Sequence, residues 1–322
     1  MIAIAVRQHR VQLAAGLGLM VLLAGLLVWT GEQMTSYLHS TGLTACLATH
    51  AASCDSFSRL FENRYGGLLS YTAYLNFLPM LVGIFWGAPL VGRELETGTY
   101  RLAWTQSITR RRWLTSKIGV FVLATVAIAA GFSALLSWWF HPFAQLQFGG
   151  GYSRIDPSSF GSQGIVPIAY SLFAFALGCA AGVIARRVLP AMAVTLAVYV
   201  PLRLWVQSLR AHFAAPLQIT YQALGTSPRA GLGDWVIRSH TVDRAGHSVS
   251  DQTVLSNCAI GPGTPKASVL RCLTEHGYHQ LDLYQPASRF WTFQGIETAI
   301  FLGLAAALLA LTFYWVTRRS TA

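Results

Sequence analysis

Apolar and polar residues fall into long blocks along this 322-residue chain. Six apolar runs stand out, at residues 11–30, 70–91, 118–140, 165–185, 188–206 and 294–316. Each is long enough to cross a hydrocarbon core of about 30 Å as a helix. None shows the two-residue alternation of a lipid-facing barrel strand. A segment in hydrocarbon that is not part of a closed barrel satisfies its backbone only as a helix. The pattern therefore predicts an all-α membrane protein of six transmembrane helices. The first run follows Arg7, His9 and Arg10 as a secretory signal would, but it reaches Trp29 without an A-x-A pattern. It exceeds the roughly 7–15 apolar residues of a signal core, so it is expected to remain as the first helix.

Composition agrees with this division. The chain is 53% hydrophobic and 11% charged, against about a quarter charged in a soluble domain, which excludes a water-soluble globule. Its net charge of +11 would ordinarily suggest nucleic acid. Placement argues otherwise. Arg7, Arg10, Arg93, Arg101, Arg110, Arg111, Arg112, Lys117, Arg186, Arg187, Arg318 and Arg319 all belong to one alternating set of inter-helix segments. The two short segments of the other set hold only Arg59, Arg64 and Arg154. By the positive-inside rule both termini are cytoplasmic, and residues 31–69, 141–164 and 207–293 lie outside. The basicity is thus largely topological, and no nucleic-acid partner is expected, since no compact basic domain with interleaved aromatics is present. The expected organisation is helices one to five in 1–206 with a cytoplasmic loop at 92–117, an extracellular domain at 207–293, and helix six with a cytoplasmic tail at 294–322.

Four cysteines, Cys46, Cys54, Cys258 and Cys272, fall on the oxidising side. Two local disulfides are the simplest arrangement, and a bridge between the two loops is equally allowed by the count. Cys179 lies within helix four as a small packing residue. His276 and His279 stand near Cys272, but a disulfide consumes the thiolate and no carboxylate accompanies them, so no metal centre is expected. Within the long outer segment, Trp235–Val249 alternates around an Asp243–Gly246 turn and predicts a short hairpin. Gly231, Gly233, Pro262 and Pro265 predict a compact cap of turns around it. Tyr284 to Trp291 and Phe293 read as an interfacial aromatic belt.

The inner segment GRELETGTYRLAWTQSITRRRWLTSK, residues 92–117, is the most informative. Beyond Gly98, Tyr100, Ala103, Trp104 and Ile108 recur at helical spacing and give a short helix with one apolar face. One reading lays that helix on the membrane, anchored by Trp104 and Trp113, with Arg110 to Arg112 on lipid headgroups. The other adds Arg93, Glu94 and Glu96, whose mixed charges beside an amphipathic helix make a docking knob for another protein.

The stretch RELETGTYRLAWTQSITRRRW (93–113) and the outer YQPASRFWTFQGIE (284–297) resemble permease subunits of type-2 ATP-binding-cassette (ABC) exporters, the actinobacterial members in particular. The six-helix plan with a large loop before the last helix extends the likeness over most of the chain. The resemblance implies a type-2 ABC exporter permease architecture, to which the outer cysteines add the expectation of a disulfide-containing extracellular cap between helices five and six. It also implies a coupling element made by Arg93, Glu94, Glu96, Thr97, Gly98, Thr99, Tyr100, Arg101 and Trp104, seated on a separate ATPase. The working unit it implies is two ATPase subunits and two permease copies, held among membrane lipids of the bacterial plasma membrane. One departure is that only about ten residues precede helix one, so the N-terminal elbow helix of relatives is expected to be short or absent.

The residues themselves favour a separate motor. No G-x-x-x-x-G-K-[ST] occurs, and Lys117 and Lys266 are the only lysines. ATP and Mg are accordingly assigned to the partner, with no cofactor on this chain. No H-E-x-x-H or G-x-S-x-G is found, and no catalytic residue is expected. A rival lipid-modifying enzyme would have to draw on His141, His212, His276 and His279. A non-transporting sensory subunit would keep the coupling loop and move nothing. Intramembrane charge is limited to Arg203 and Glu297 near helix ends. Arg203 can snorkel, Glu297 can sit at a helix N-terminus, or the two can pair with each other or with Arg289. For a drug, antibiotic, peptide or lipid, the resemblance places the cavity along helices two and five. That makes Tyr71, Tyr74, Asn76, Phe77, Phe85, Thr195 and Tyr199 the candidate lining residues. Pro79 and Pro201 are bending points in the same helices, and Gly83/Gly87 and Gly178/Gly182 permit close helix approach.

Overall fold

The computed structural model describes residues 10–42, 54–98, 109–145, 152–222, 233–258, 260–261 and 264–318. The chain divides into two compact units. Met1–Pro142, Pro157–Ser208 and Thr292–Ala322 make the first, and Phe143–Asp156 with Leu209–Trp291 make the second. Among the described residues, six helices are long and apolar enough to cross a membrane: Gly16–Ser40, Arg59–Thr97, Arg111–Trp139, Val166–Ala185, Val188–His212 and Ala287–Arg318.

In the first unit, α1 (Arg10–Ser40) continues ten residues past the expected end at residue 30 and stops only before Gly42, whose φ is 66°. Glycine adopts that left-handed conformation without steric cost. The second span is also longer than expected. It comprises α2 (Cys54–Leu75), α3 (Leu78–Val82), one π-helical turn (Gly83–Gly87) and α4 (Ala88–Thr97), which ends at Gly98 with φ 71°. The expected outer loop 31–69 is therefore helical on both sides of its undescribed middle. Hydropathy missed this because α2 is amphipathic. Phe61 and Tyr65 are buried, their rings 6.2 and 5.8 Å from that of Tyr37 on α1, while Arg59, Glu62, Asn63 and Arg64 around them are exposed. The inner segment, expected to leave the helix at residue 92, stays helical to Thr97. The break in this span comes at Asn76–Phe77, just before Pro79, which has no amide hydrogen for the ladder.

The remaining first-unit helices are α5 (Arg110–Trp139), α6 (His141–Gln145, which runs on into the second unit), α7 (Pro157–Phe160), α8 (Val166–Ala185) and α9 (Val188–Leu209). α5 is capped by the Thr109 side chain, which accepts from the Arg112 amide. α9 carries Pro201 without interruption. α8 is the most enclosed, packed on the second span and α5. Its glycines set that fit. A Cβ on Gly178 would overlap the Gly83 carbonyl, and one on Gly87 would overlap the Phe175 carbonyl. Lipid tails are as apolar as leucine, so close backbone approach and van der Waals contact hold these helices more than water exclusion does. Around the glycine seam Trp86, Phe121 and Phe175 pack with ring centroids 5.6 and 6.2 Å apart.

The second unit is not the cap of turns expected from its Gly and Pro content. Four strands, β1 (Leu217–Gln222), β2 (Trp235–Val242), β3 (Ser248–Val249) and β4 (His279–Gln285), form an antiparallel sheet in the order β1-β4-β2-β3. The predicted hairpin is β2–β3, closed by Asp243, whose carboxylate accepts from the amides of Ala245 and His247. Those bonds, the His247 amide foremost, hold its carboxyl below the usual range. β4 lies at the centre, pairing Leu217 with Tyr284 on one side and Trp235 with Gln285 on the other. Tyr284 is thus a strand residue. α10 (Asp251–Asn257) and α11 (Lys266–His276) are joined by the Cys258–Cys272 disulfide and bury Val254, Val269, Leu273 and Tyr278. Phe143–Asp156 belongs here too: Ser153 Oγ donates to the Gly233 carbonyl at 2.6 Å, and the Arg154 guanidinium lies 4.3 Å from the Phe290 ring centroid. The last helix, α12 (Phe290–Arg318), returns to the first unit.

Candidate functional site

Two polar knots and one groove carry the chemistry of the first unit. The first knot lies where α4 ends. Arg93, Glu94, Glu96, Thr97 and Gly98 are described there, whereas Thr99, Tyr100, Arg101 and Trp104 lie outside the described residues. Glu94 is 5% exposed and accepts from the Lys117 ammonium of α5, itself 5% exposed. That ammonium also sits 4.8 Å from the Trp113 ring centroid. Glu94 is therefore turned inward and offers no free charge to an external partner. Glu96 accepts from the Val188 amide at 3.0 Å, at the N-terminus of α9, where a helix has unpaired donors and a positive dipole end. Two carboxylates two residues apart thus tie one short segment to two different helices. The Arg93 guanidinium, exposed beside them, has no partner among the described residues.

The second knot joins three helices, α8, α9 and α12. Arg203 of α9 is 1% exposed and Glu297 of α12 is 0% exposed, with Arg203 Nη1 3.7 Å from Glu297 Oε1. Of the alternatives in the sequence, pairing is realised, and neither snorkelling nor partnership with Arg289 is. Arg289 belongs to the second unit, where it donates to the Ala215 carbonyl at 2.7 Å. Tyr170 of α8 donates its hydroxyl to Glu297, and its ring lies 4.1 Å from the Arg203 guanidinium carbon. Arg203 Nη1 also donates to Gln207 at 3.1 Å. Arg203 Nε and Nη2, Asn76 Oδ1, Tyr199 Oη and Thr298 Oγ1 are buried without a hydrogen-bond partner. A buried pair of this kind is held by geometry, and losing one partner strands the other charge in a low dielectric. Beside it, Gln294 accepts from the amides of Ile165 and Val166 at 2.9 Å and donates to the carbonyls of Phe160 and Gln163. One side chain thereby satisfies the open N-terminus of α8.

The groove, about 750 Å³, is walled by α1 (Gly16, Leu19, Met20, Leu23), the second span and the start of α9 (Val188, Met192). Of the sequence-predicted lining residues it takes only Phe85. Tyr71 and Tyr74 are exposed on another part of the second span, at 68% and 72%, and Phe77 is half-buried. Asn76, Thr195 and Tyr199 are buried inside the protomer, with Thr195 donating to the Ala191 carbonyl of its own helix. The candidates therefore do not converge on one wall within a single chain. Sequence reasoning missed Lys117, Tyr170 and Gln294, which carry no motif. It also missed the α1 wall, whose signal was the i, i+3, i+4, i+7 spacing of Gly16, Leu19, Met20 and Leu23.

In the second unit, His276 Nδ1 lies 3.4 Å from Cys272 Sγ, but that sulfur is bonded to Cys258 in the disulfide. His279 faces the Gly277 carbonyl at 2.9 Å. Cys46 and the side chain of Cys54 lie outside the described residues.

A family model described as ABC-2 membrane transporter related matches residues 17–210. That range contains α2 to α9, most of α1, both carboxylate ties of the first knot and all of the groove's lining except Gly16. No curated protein and no solved structure matches the chain.

Proposed function

The chain belongs to the ABC-2 membrane transporter related family, and from that premise we propose that it works as the membrane half of an ATP-driven exporter, moving an amphipathic or hydrophobic compound outward. Membership makes it the permease subunit of an ABC transporter and a multi-pass membrane protein. The proposal adds direction, partner and coupling route. A separate ATPase, two copies of it with two copies of this chain, grips the cytoplasmic face along the segment from Arg93 to Trp104. Closure of the ATPase pair on ATP pushes that segment, and the central cavity opens outward. Such a scheme works only if ATP binds the outward state more tightly and cargo binds it less tightly than the inward state.

One observation carries the reading. The segment is fastened to α5 through Glu94–Lys117 and to α9 through Glu96–Val188, so a push on it displaces two spans together. Glu94 acts as a positioning residue inside this linkage, and Thr97 and the residues beyond Gly98 supply the docking surface. The test is reconstitution with the ATPase encoded beside it, scoring ATP-dependent efflux from loaded vesicles. ATP-dependent efflux that requires both subunits is the expected result. Efflux by this chain with no ATPase present, or ATP hydrolysis without movement of any compound, overturns the proposal.

A further inference from the structure

The groove has ends of different chemistry. Its floor is one face of the second span, where Leu78, Leu81, Phe85, Pro89 and Arg93 recur every three or four residues. From Leu78 to Arg93 the helix rises about 22 Å, more than the ~15 Å of one hydrocarbon leaflet. Its walls are apolar until the end formed by Arg93, Glu96 and Thr97. There Glu96 is committed to the Val188 amide, and the Thr97 hydroxyl donates back to the Arg93 carbonyl. Among the described residues lining this apolar trough, the guanidinium of Arg93 is the charge left without a partner, at its mouth.

We propose that this groove binds a lipid of the surrounding leaflet that carries an anionic phosphate headgroup, its acyl chain lying against Leu19, Leu81 and Phe85 and its phosphate on Arg93. A guanidinium presents a planar fork that matches phosphate oxygens two at a time. The trough is long enough for most of an acyl chain, and apolar contact there costs no desolvation. Another protein helix fits less well. The exposed apolar face of α9, with Leu189, Val194 and Trp205, brings no anion, because α9 contains no Asp or Glu. This inference rests on the exporter reading only in making such an amphiphile the class of cargo; the site itself stands on the groove.

The experiment uses the purified full chain without ATPase or nucleotide, released from mixed nanodiscs of phosphatidylglycerol and phosphatidylcholine, with retained lipid counted by native mass spectrometry. Wild type is expected to retain phosphatidylglycerol about tenfold over phosphatidylcholine, because the phosphate of the latter is offset by its own choline ammonium and gains less from a lone guanidinium. Arg93→Gln is expected to bring the ratio near one, Arg93→Lys to keep part of it, and Leu19→Trp to remove both lipids by filling the trough. Equal retention of the two lipids by wild type, or a preference unchanged in Arg93→Gln, overturns the inference. Retention of a second copy in place of lipid, lost in Leu19→Trp, overturns it in favour of a dimer contact. Because no step uses ATP, these failures leave the exporter reading standing, and loss of ATP-driven efflux with lipid preference intact removes the exporter reading alone.

Discussion

Lys117 stands at the head of an apolar span, yet its ammonium is turned into the protein against Glu94 and the Trp113 ring. Glu94→Gln strands that buried cation and is expected to cost about 3–5 kcal/mol, seen as a lower thermal midpoint in detergent. Glu94→Leu combined with Lys117→Met removes both charges and is expected to recover most of that loss. If the tie transmits force, the double variant remains folded while stimulation of its ATPase falls. Wild-type stimulation in the double variant would show that Glu96 alone carries the coupling. At the other knot, Gly161 leaves room for Arg203 and Asn76, and a Cβ there would overlap both side chains. Gly161→Ala is expected to cost about 1–3 kcal/mol by overpacking, again read from thermal unfolding. Arg203 and Glu297 were legible because a charge inside an apolar run is conspicuous. Tyr170, which completes their network, was not, since a neutral aromatic in an apolar run carries no mark of the partner it finds.

Among elements, the joint between the second span and α8 has least tolerance. Gly83, Gly87, Gly178 and Gly182 bring backbone to backbone, so an added methyl meets carbonyl oxygens that have no rotamer in which to escape. Gly178→Ala is expected to lower the thermal midpoint clearly, by at least the ~1–3 kcal/mol of ordinary overpacking. Gly131→Ala, with nothing within 4 Å of its Cβ, is expected to leave stability unchanged or raise it by up to ~1 kcal/mol through helix propensity. Equal effects at the two sites would contradict this account of the seam. The small-residue spacing was readable in the sequence, whereas the π turn between Gly83 and Gly87 was not. Hydropathy reports what lies in oil and says nothing of how a helix is wound. For the same reason the polar extension of α2 was invisible: its helical state depends on Phe61 and Tyr65 finding Tyr37 on another element.

At the scale of the whole molecule, the two units are stabilised differently, one by helix packing in lipid and the other by a sheet with a disulfide. The pair Cys258–Cys272 closes a loop with a sequence separation of 14. Replacing both by serine is expected to cost the second unit about 3 kcal/mol, visible as faster amide exchange in β4 and α11 with exchange in α8 unchanged. Six spans and a separate segment before the last one were legible because each depends on local composition. The sheet was not, because β1 and β4 pair across 56 intervening residues, and alternation in LQITYQ names a strand without naming its neighbour. That unit is also discontinuous, since Phe143–Asp156 contributes to it before α8 and α9 have been made. A ribosome elongating at about 5–20 residues per second takes roughly ten seconds to pass from Asp156 to Trp291. Throughout that interval the early strip stands without its later half, so membrane insertion has to deliver it to the same face and hold it until the rest arrives.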